Sequence, residues 1–240
     1  MKTQLLSHLK ELRTRVTLCV ASIFSLMFIS YFFFEFSYSM FALPFKQLGI
    51  NSNLFYVQSV LEAAVLKIKF SFIFGIVLSI PVFIFHILRF SIPGLKKNEI
   101  TLLAAAITGS CILSIISFIY GYFILLPLSI KFLMSHHFIP VDVGILLNYS
   151  ENLFFVLNLI AYLIIVFQFP ILLLLLLKSN ILSQQSLFHS IRYFIVAIFI
   201  LSAILTPPDV ISQLLLSLPL IILFFTVLVI SKLFKLGTHV

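Results

Sequence analysis

Of the 240 residues, 62% are hydrophobic and only 9% are charged, whereas a water-soluble domain carries about a quarter of its residues as charged side chains. That balance excludes an ordinary soluble globule. The net charge of +8 does not point to nucleic acid, because the lysines and arginines sit in short clusters between apolar runs and form no basic stripe.

The first 15 residues place leucines 5, 9 and 12 on one helical face with charges opposite, so an amphipathic segment along the inner membrane surface is expected. The apolar run that follows Lys10, Arg13 and Arg15 resembles a signal peptide. It is too long for one and lacks a small-x-small cleavage site, so it reads as a retained first span. A membrane helix needs about 20 mostly apolar residues. On that test six spans are predicted, at 16–34, 70–88, 102–126, 153–177, 193–205 and 210–230. The fifth is short, covering about 20 Å of a hydrocarbon core roughly 30 Å thick, so it must thin the bilayer, recruit its flanks or rest on longer neighbours. The expected architecture is all-α, one six-span membrane domain over 1–240.

Orientation follows from the basic residues. With the N-terminus inside, eleven lysines and arginines fall on the inner side and four, Lys46, Lys67, Lys69 and Lys131, on the outer side; this predicts both termini inside. The acids lean the other way, leaving only Glu11 and Glu99 on the inner side. In the first outer loop Pro44, Gly49, Asn51 and Asn53 are breakers, and 54–69 has helical spacing, so short interfacial helices are predicted there. The second outer loop, 129–152, reads similarly. The third is only Thr206-Pro207-Pro208-Asp209, which forces the last two spans into an antiparallel pair. Pro81, Pro127, Pro170 and Pro219 lie in or at the ends of spans, where each removes a backbone hydrogen bond and kinks the helix. Kinked spans predict a curved wall more readily than a straight bundle.

Polar side chains at membrane depth are costly and mark sites. Gln168, beside Pro170, is either an interhelical hydrogen bond or a contact for a partner helix or a substrate; Gln213 lies near the outer end of the last span, and Glu35 at the outer end of the first. Glu11 either pairs with Arg15 four residues on or presents a carboxylate to a guanidinium ligand. Glu99 is either the dipole-favoured acid at the start of the third span or a second such carboxylate. No histidine pair has i, i+4 ligand spacing, and the doublet His136-His137 reads as solvated, so neither a metal site nor a cofactor is expected. Cys19 and Cys111 fall inside apolar runs and read as packing residues. No nucleophile elbow, zinc-protease motif or phosphate loop is present, so no enzymatic activity is expected.

Several motifs together resemble the TatC family of twin-arginine translocases along nearly the whole chain. They are His8-Leu9-Lys10-Glu11-Leu12-Arg13; Leu43-Pro44; Phe90-Ser91-Ile92-Pro93-Gly94-Leu95 followed by Lys-Lys-x-Glu; Tyr120-Gly121-Tyr122-Phe123 with Leu126-Pro127-Leu128; and, most specifically, Leu205-Thr206-Pro207-Pro208-Asp209-Val210 with Ser212-Gln213. The resemblance implies the receptor core of a system that exports folded proteins on the proton-motive force, in a bacterial inner membrane or an organellar one. The implied partners are TatA- and TatB-type single-span proteins, twin-arginine signal peptides, membrane lipid and further copies of the chain. It assigns Glu11 and Glu99 to the paired arginines of the signal peptide, with His8, Leu9, Leu12, Arg13, Phe90, Pro93 and Leu95 around them. Thr206, Pro207, Pro208, Asp209 and Gln213 match the site where a partner helix docks. Pro44, Pro81, Tyr122, Pro127 and Pro170 are assigned structural roles. One departure matters: many family members carry glutamate two residues before the proline of the fourth span, where this chain has Gln168. A neutral amide cannot titrate, so a hydrogen-bonding role is what remains. The competing reading is a secondary transporter or permease for a small solute, against which stand the missing inverted repeat and midplane charge cluster; a third is an assembly scaffold without transport of its own.

Overall fold

The structure is a computed structural model that describes residues 2–48, 55–91, 97–135, 146–179, 181–206 and 209–237; for 2–9, 87–91 and 97–103 only the backbone is described. The helices are α1 (Lys2–Phe32), α2 (Phe34–Gln47), α3 (Val60–Ser91), α4 (Lys97–Tyr120), α5 (Leu126–Leu133), α6 (Tyr149–Val166), α7 (Phe169–Lys178), α8 (Gln184–His189), α9 (Ile191–Leu205) and α10 (Val210–Leu233). A π-helical turn, Gly121–Leu125, joins α4 to α5, and two short strands, β1 (Phe55–Tyr56) and β2 (Leu147–Asn148), lie in the loops.

Among the described residues five segments are long and apolar enough to cross a membrane: Lys10–Phe32, Val60–His86, Ala104–Leu133, Tyr149–Lys178 and Val210–Leu233. The shorter Ile191–Leu205, α9, has 15 residues and a length of about 22 Å. The chain is thus the mostly helical, multi-pass protein that its apolar runs predict. It divides into two compact units: unit 1 comprises Met1–Lys46, Ile50–Ile112 and Leu146–Ala161, and unit 2 comprises Gln47–Gly49, Leu113–Ile145 and Tyr162–Val240.

In unit 1, α1 packs along α3. The two backbones meet at Gly75, where an added Cβ would lie 2.7 Å from the Met27 amide nitrogen and 2.9 Å from its Cα; only a hydrogen atom fits there, the small-residue mode of membrane helix packing. At one end of this pair Phe34, Phe41, Phe70 and Phe74 interlock, with edge-on contacts of 5.3 Å for Phe34–Phe70 and 5.4 Å for Phe41–Phe70. Phe41 and Phe70 are fully buried, so this end of the unit's core is aromatic.

The stretch 54–69 does not form a separate interfacial helix. Phe55 and Tyr56 pair in parallel with Leu147 and Asn148, tying two loops together, and α3 then starts at Val60 and runs unbroken into the span. Ser59 and Glu62 explain the start: the Leu61 amide donates to Ser59 Oγ at 3.2 Å, and the Gln58 amide donates to the Glu62 carboxylate at 2.6 Å. This is a reciprocal capping arrangement, with no breaker between it and Phe70. Asn148 starts α6 likewise, its Oδ1 accepting from the Glu151 amide at 2.9 Å.

In unit 2, α10 packs against α5, α7, α8, α9 and the π-helical turn. Phe194 stacks on Phe224 at 4.9 Å and touches Phe169 at 6.1 Å, which links α9, α10 and α7. Past α10 the chain turns through Lys235 and Gly237, both at positive φ. The Gly237 carbonyl accepts from the Gln184 amide at 3.2 Å, so the end of α10 is tied to the start of α8.

The prolines act in different ways. Pro170 is buried as the second residue of α7, just after the turn that separates α7 from α6. Pro127 opens α5 directly after the π-helical turn. Pro44, Pro81 and Pro219 lie inside α2, α3 and α10 without interrupting them. Tyr122 is buried and stacks on Phe118 at 5.7 Å.

Candidate functional site

Three groups of polar residues stand out, and each lies within one unit. The first is a pair of acids in unit 1. Glu11 lies near the N-terminal end of α1, partly exposed, and its Oε1 accepts from Arg15 Nε at 3.1 Å and also from Arg15 Nη2. One carboxylate oxygen thus already holds a guanidinium across one helical turn. Leu12 and Arg13 beside it are exposed. Glu99 lies in the first turn of α4, where the helix dipole favours an acid. Its side chain falls outside the described residues, as do those of His8, Leu9 and Phe90; Pro93 and Leu95 lie outside them altogether.

The second group joins α9 to α10. Asp209 is buried and caps α10, its Oδ1 accepting from the Ser212 amide at 2.6 Å, which satisfies one of the helix's unpaired donors. Its Oδ2 is buried with no hydrogen-bond partner among the described residues. Ser212 Oγ lies 2.8 Å from Ser129 Oγ, which itself donates to the Leu125 carbonyl at 2.8 Å. A hydroxyl has one proton to give, so Ser212 is the donor to Ser129. Thr206 is buried and turns its hydroxyl back to the Ser202 carbonyl at 2.8 Å. Gln213 is half-buried and spends one N–H on the Phe199 carbonyl at 3.2 Å; its Oε1 and second N–H have no partner among the described residues. Pro207 and Pro208 lie outside the described residues. Ser129 had no signal in the sequence, since it meets Ser212 across 83 positions.

Gln168 is the third. Its backbone amide donates to the Ile165 carbonyl at 3.1 Å, the tighter i−3 pattern, which strips the Ile164 carbonyl of its usual donor. The Gln168 side-chain amide replaces it at 3.2 Å and also donates to Ser114 Oγ on α4 at 3.0 Å. One side chain therefore repairs the break before Pro170 and crosses to a neighbouring helix.

Among the described residues no cluster of three or more histidine, cysteine, aspartate or glutamate side chains is placed to hold a metal ion. Glu35, in the first turn of α2, is exposed.

Residues 7–219 match the family described as Sec-independent protein translocase protein (TatC). The chain is 34% identical to a tatC-like protein, ymf16, of Reclinomonas americana, over 92% of this chain and 84% of that one. It is 31% identical to the Sec-independent protein translocase protein TatC of Carboxydothermus hydrogenoformans, over 96% and 93% of the two chains. Its fold is similar to the crystal structure of the twin arginine translocase receptor TatC in DDM, with a TM-score of 0.80 and 28% identity over 94% of this chain and 99% of that one.

Proposed function

Since the chain belongs to the TatC family of Sec-independent protein translocases, we propose that it is the receptor for twin-arginine signal peptides in a translocase that exports folded proteins on the proton-motive force. Glu11 and Glu99 take the two arginines of the signal peptide. The observation that carries this reading is the Glu11 carboxylate already engaged by the Arg15 guanidinium. A signal-peptide arginine would exchange one guanidinium for another of the same geometry, and an i, i+4 pair within a helix is worth only about 0.3–0.5 kcal/mol, so the exchange costs little. Lysine cannot match the planar, two-pronged contact.

In this reading the chain spans the bacterial inner membrane six times, α9 included, with both termini in the cytoplasm, as eleven inner against four outer basic residues suggest. Glu11 and Glu99 then face the cytoplasm, where the signal peptide arrives. The stretch Thr206 to Gln213 docks the single helix of a TatA- or TatB-type partner. The unpaired half of the Gln213 amide supports this, because a donor and an acceptor near membrane depth gain most from a polar group on an incoming helix. Further copies of the chain join it in the receptor complex. The chain itself works as a docking protein and not as an enzyme.

The test is site-specific photocrosslinking of a twin-arginine signal peptide to membranes containing the chain. Crosslinks are expected to residues near Glu11, and they should vanish with Glu11→Ala or with a Lys-Lys peptide. Equal crosslinking of the Lys-Lys peptide would contradict the reading and favour a permease for small solutes.

A further inference from the structure

A groove at the end of unit 2 that carries α8 lies apart in sequence from the three polar groups described above. It has a volume of about 520 Å³ and is lined by Phe188, His189, Ile191, Arg192 and Ile195. Three of these are apolar and two carry nitrogen donors, a lining suited to an amphiphile. Arg192 is held in place: its Cζ lies 4.9 Å from the centre of the Tyr193 ring, and its Nη2 donates to the Tyr193 hydroxyl at 3.1 Å. One N–H is thereby used, and a guanidinium has five.

Among the described residues no carboxylate forms an ion pair with it. Asp142 and Asp209 are the acids of unit 2. Asp209 sits beyond the far end of α9 from Arg192, and Asp142 lies outside the described residues. By contrast, Lys178 and Lys232 occupy the last turns of α7 and α10, and α8 packs on both α9 and α10. The short α9 adds to the demand. With α9 crossing the bilayer as proposed above, its length of about 22 Å against a core of roughly 30 Å would hold Arg192 at or inside the headgroup boundary, where a charge needs an anion.

We propose that this groove binds an anionic phospholipid, its headgroup phosphate on Arg192 and an acyl chain along Phe188, Ile191 and Ile195. A cationic excess at one membrane face would arise from topology alone. The guanidinium fixed beside an apolar wall is what selects a lipid over a soluble anion, which would leave that wall unused. The groove shares no residue with the proposed signal-peptide site at Glu11 and Glu99.

Native mass spectrometry of the detergent-purified chain tests this, using phosphatidylglycerol and phosphatidylcholine with identical acyl chains. Phosphatidylglycerol should be retained about five-fold more than phosphatidylcholine. Arg192→Gln should remove the preference, Arg192→Lys should keep part of it, and Lys131→Gln, on α5, should leave it intact. Equal retention of the two lipids by the wild-type chain would overturn the proposal, whether or not the variants fold. So would an unchanged preference in Arg192→Gln, or displacement of the lipid by millimolar inorganic phosphate.

Discussion

The Tyr120 hydroxyl donates a 2.6 Å hydrogen bond to the backbone carbonyl of Leu215. Leu215 stands four residues before Pro219, which has no N–H to return along α10. A side chain at the end of α4 therefore supplies the donor that α10 lacks. Tyr120→Phe should strand that carbonyl and cost about 1–3 kcal/mol, read as a lower midpoint of thermal unfolding in detergent. Pro219→Ala restores the helical donor, so the loss caused by Tyr120→Phe should shrink in that background; an equal loss in both would mean that the tyrosine acts through packing alone.

Gly75 sets how close α1 and α3 approach. Gly75→Ala forces a Cβ to within 2.7 Å of the Met27 amide nitrogen, and backbone cannot yield as a flexible side chain would. The expected cost is about 1–3 kcal/mol, with a larger loss for Gly75→Leu, seen as reduced folded yield on size-exclusion chromatography. An unaltered yield for Gly75→Leu would show that the helices can separate without penalty.

Gln168→Leu removes both the bond to Ser114 and the substitute donor for the Ile164 carbonyl. A loss of about 1 kcal/mol is expected, with Ser114→Ala costing less because only the interhelical bond is lost. Unfolding midpoints of the two single variants and the double variant separate the contributions; strict additivity would rule out the shared bond.

How much of this could be read beforehand varies by element. The apolar segments were legible because lipid demands length and hydrophobicity, and these are local properties. The start of α3 was not, since Glu62, Lys67 and Lys69 look like an end to the membrane segment. In the fold Glu62 caps the helix and Lys67 Nζ lies 4.3 Å from the centre of the Tyr31 ring, so the helix passes through the charges. The β1–β2 pair, Ser129 with Ser212 and Tyr120 with Leu215 join distant positions, and no local period reports them. Gln168 was legible as a costly polar group, but its partner Ser114, 54 positions away, was not.

Arg15 competes with any guanidinium ligand for Glu11. Arg15→Gln should therefore raise the affinity for a twin-arginine peptide about two-fold, the size of an i, i+4 helix pair's contribution, in a fluorescence anisotropy titration. Weaker binding in that variant would mean that Arg15 orients Glu11 and does not occupy it.

The most direct test of the receptor reading is a binding cycle on the purified chain, with Arg-Arg and Lys-Lys signal peptides titrated against wild type, Glu11→Ala, Glu99→Ala and the double variant. Arg-Arg binding should be at least ten-fold weaker in each single variant, about 1.4 kcal/mol or more per carboxylate, and the double variant should not discriminate between the peptides. Retained discrimination in the double variant would place the recognition of the paired arginines elsewhere and rule out Glu11 and Glu99 as their receptor.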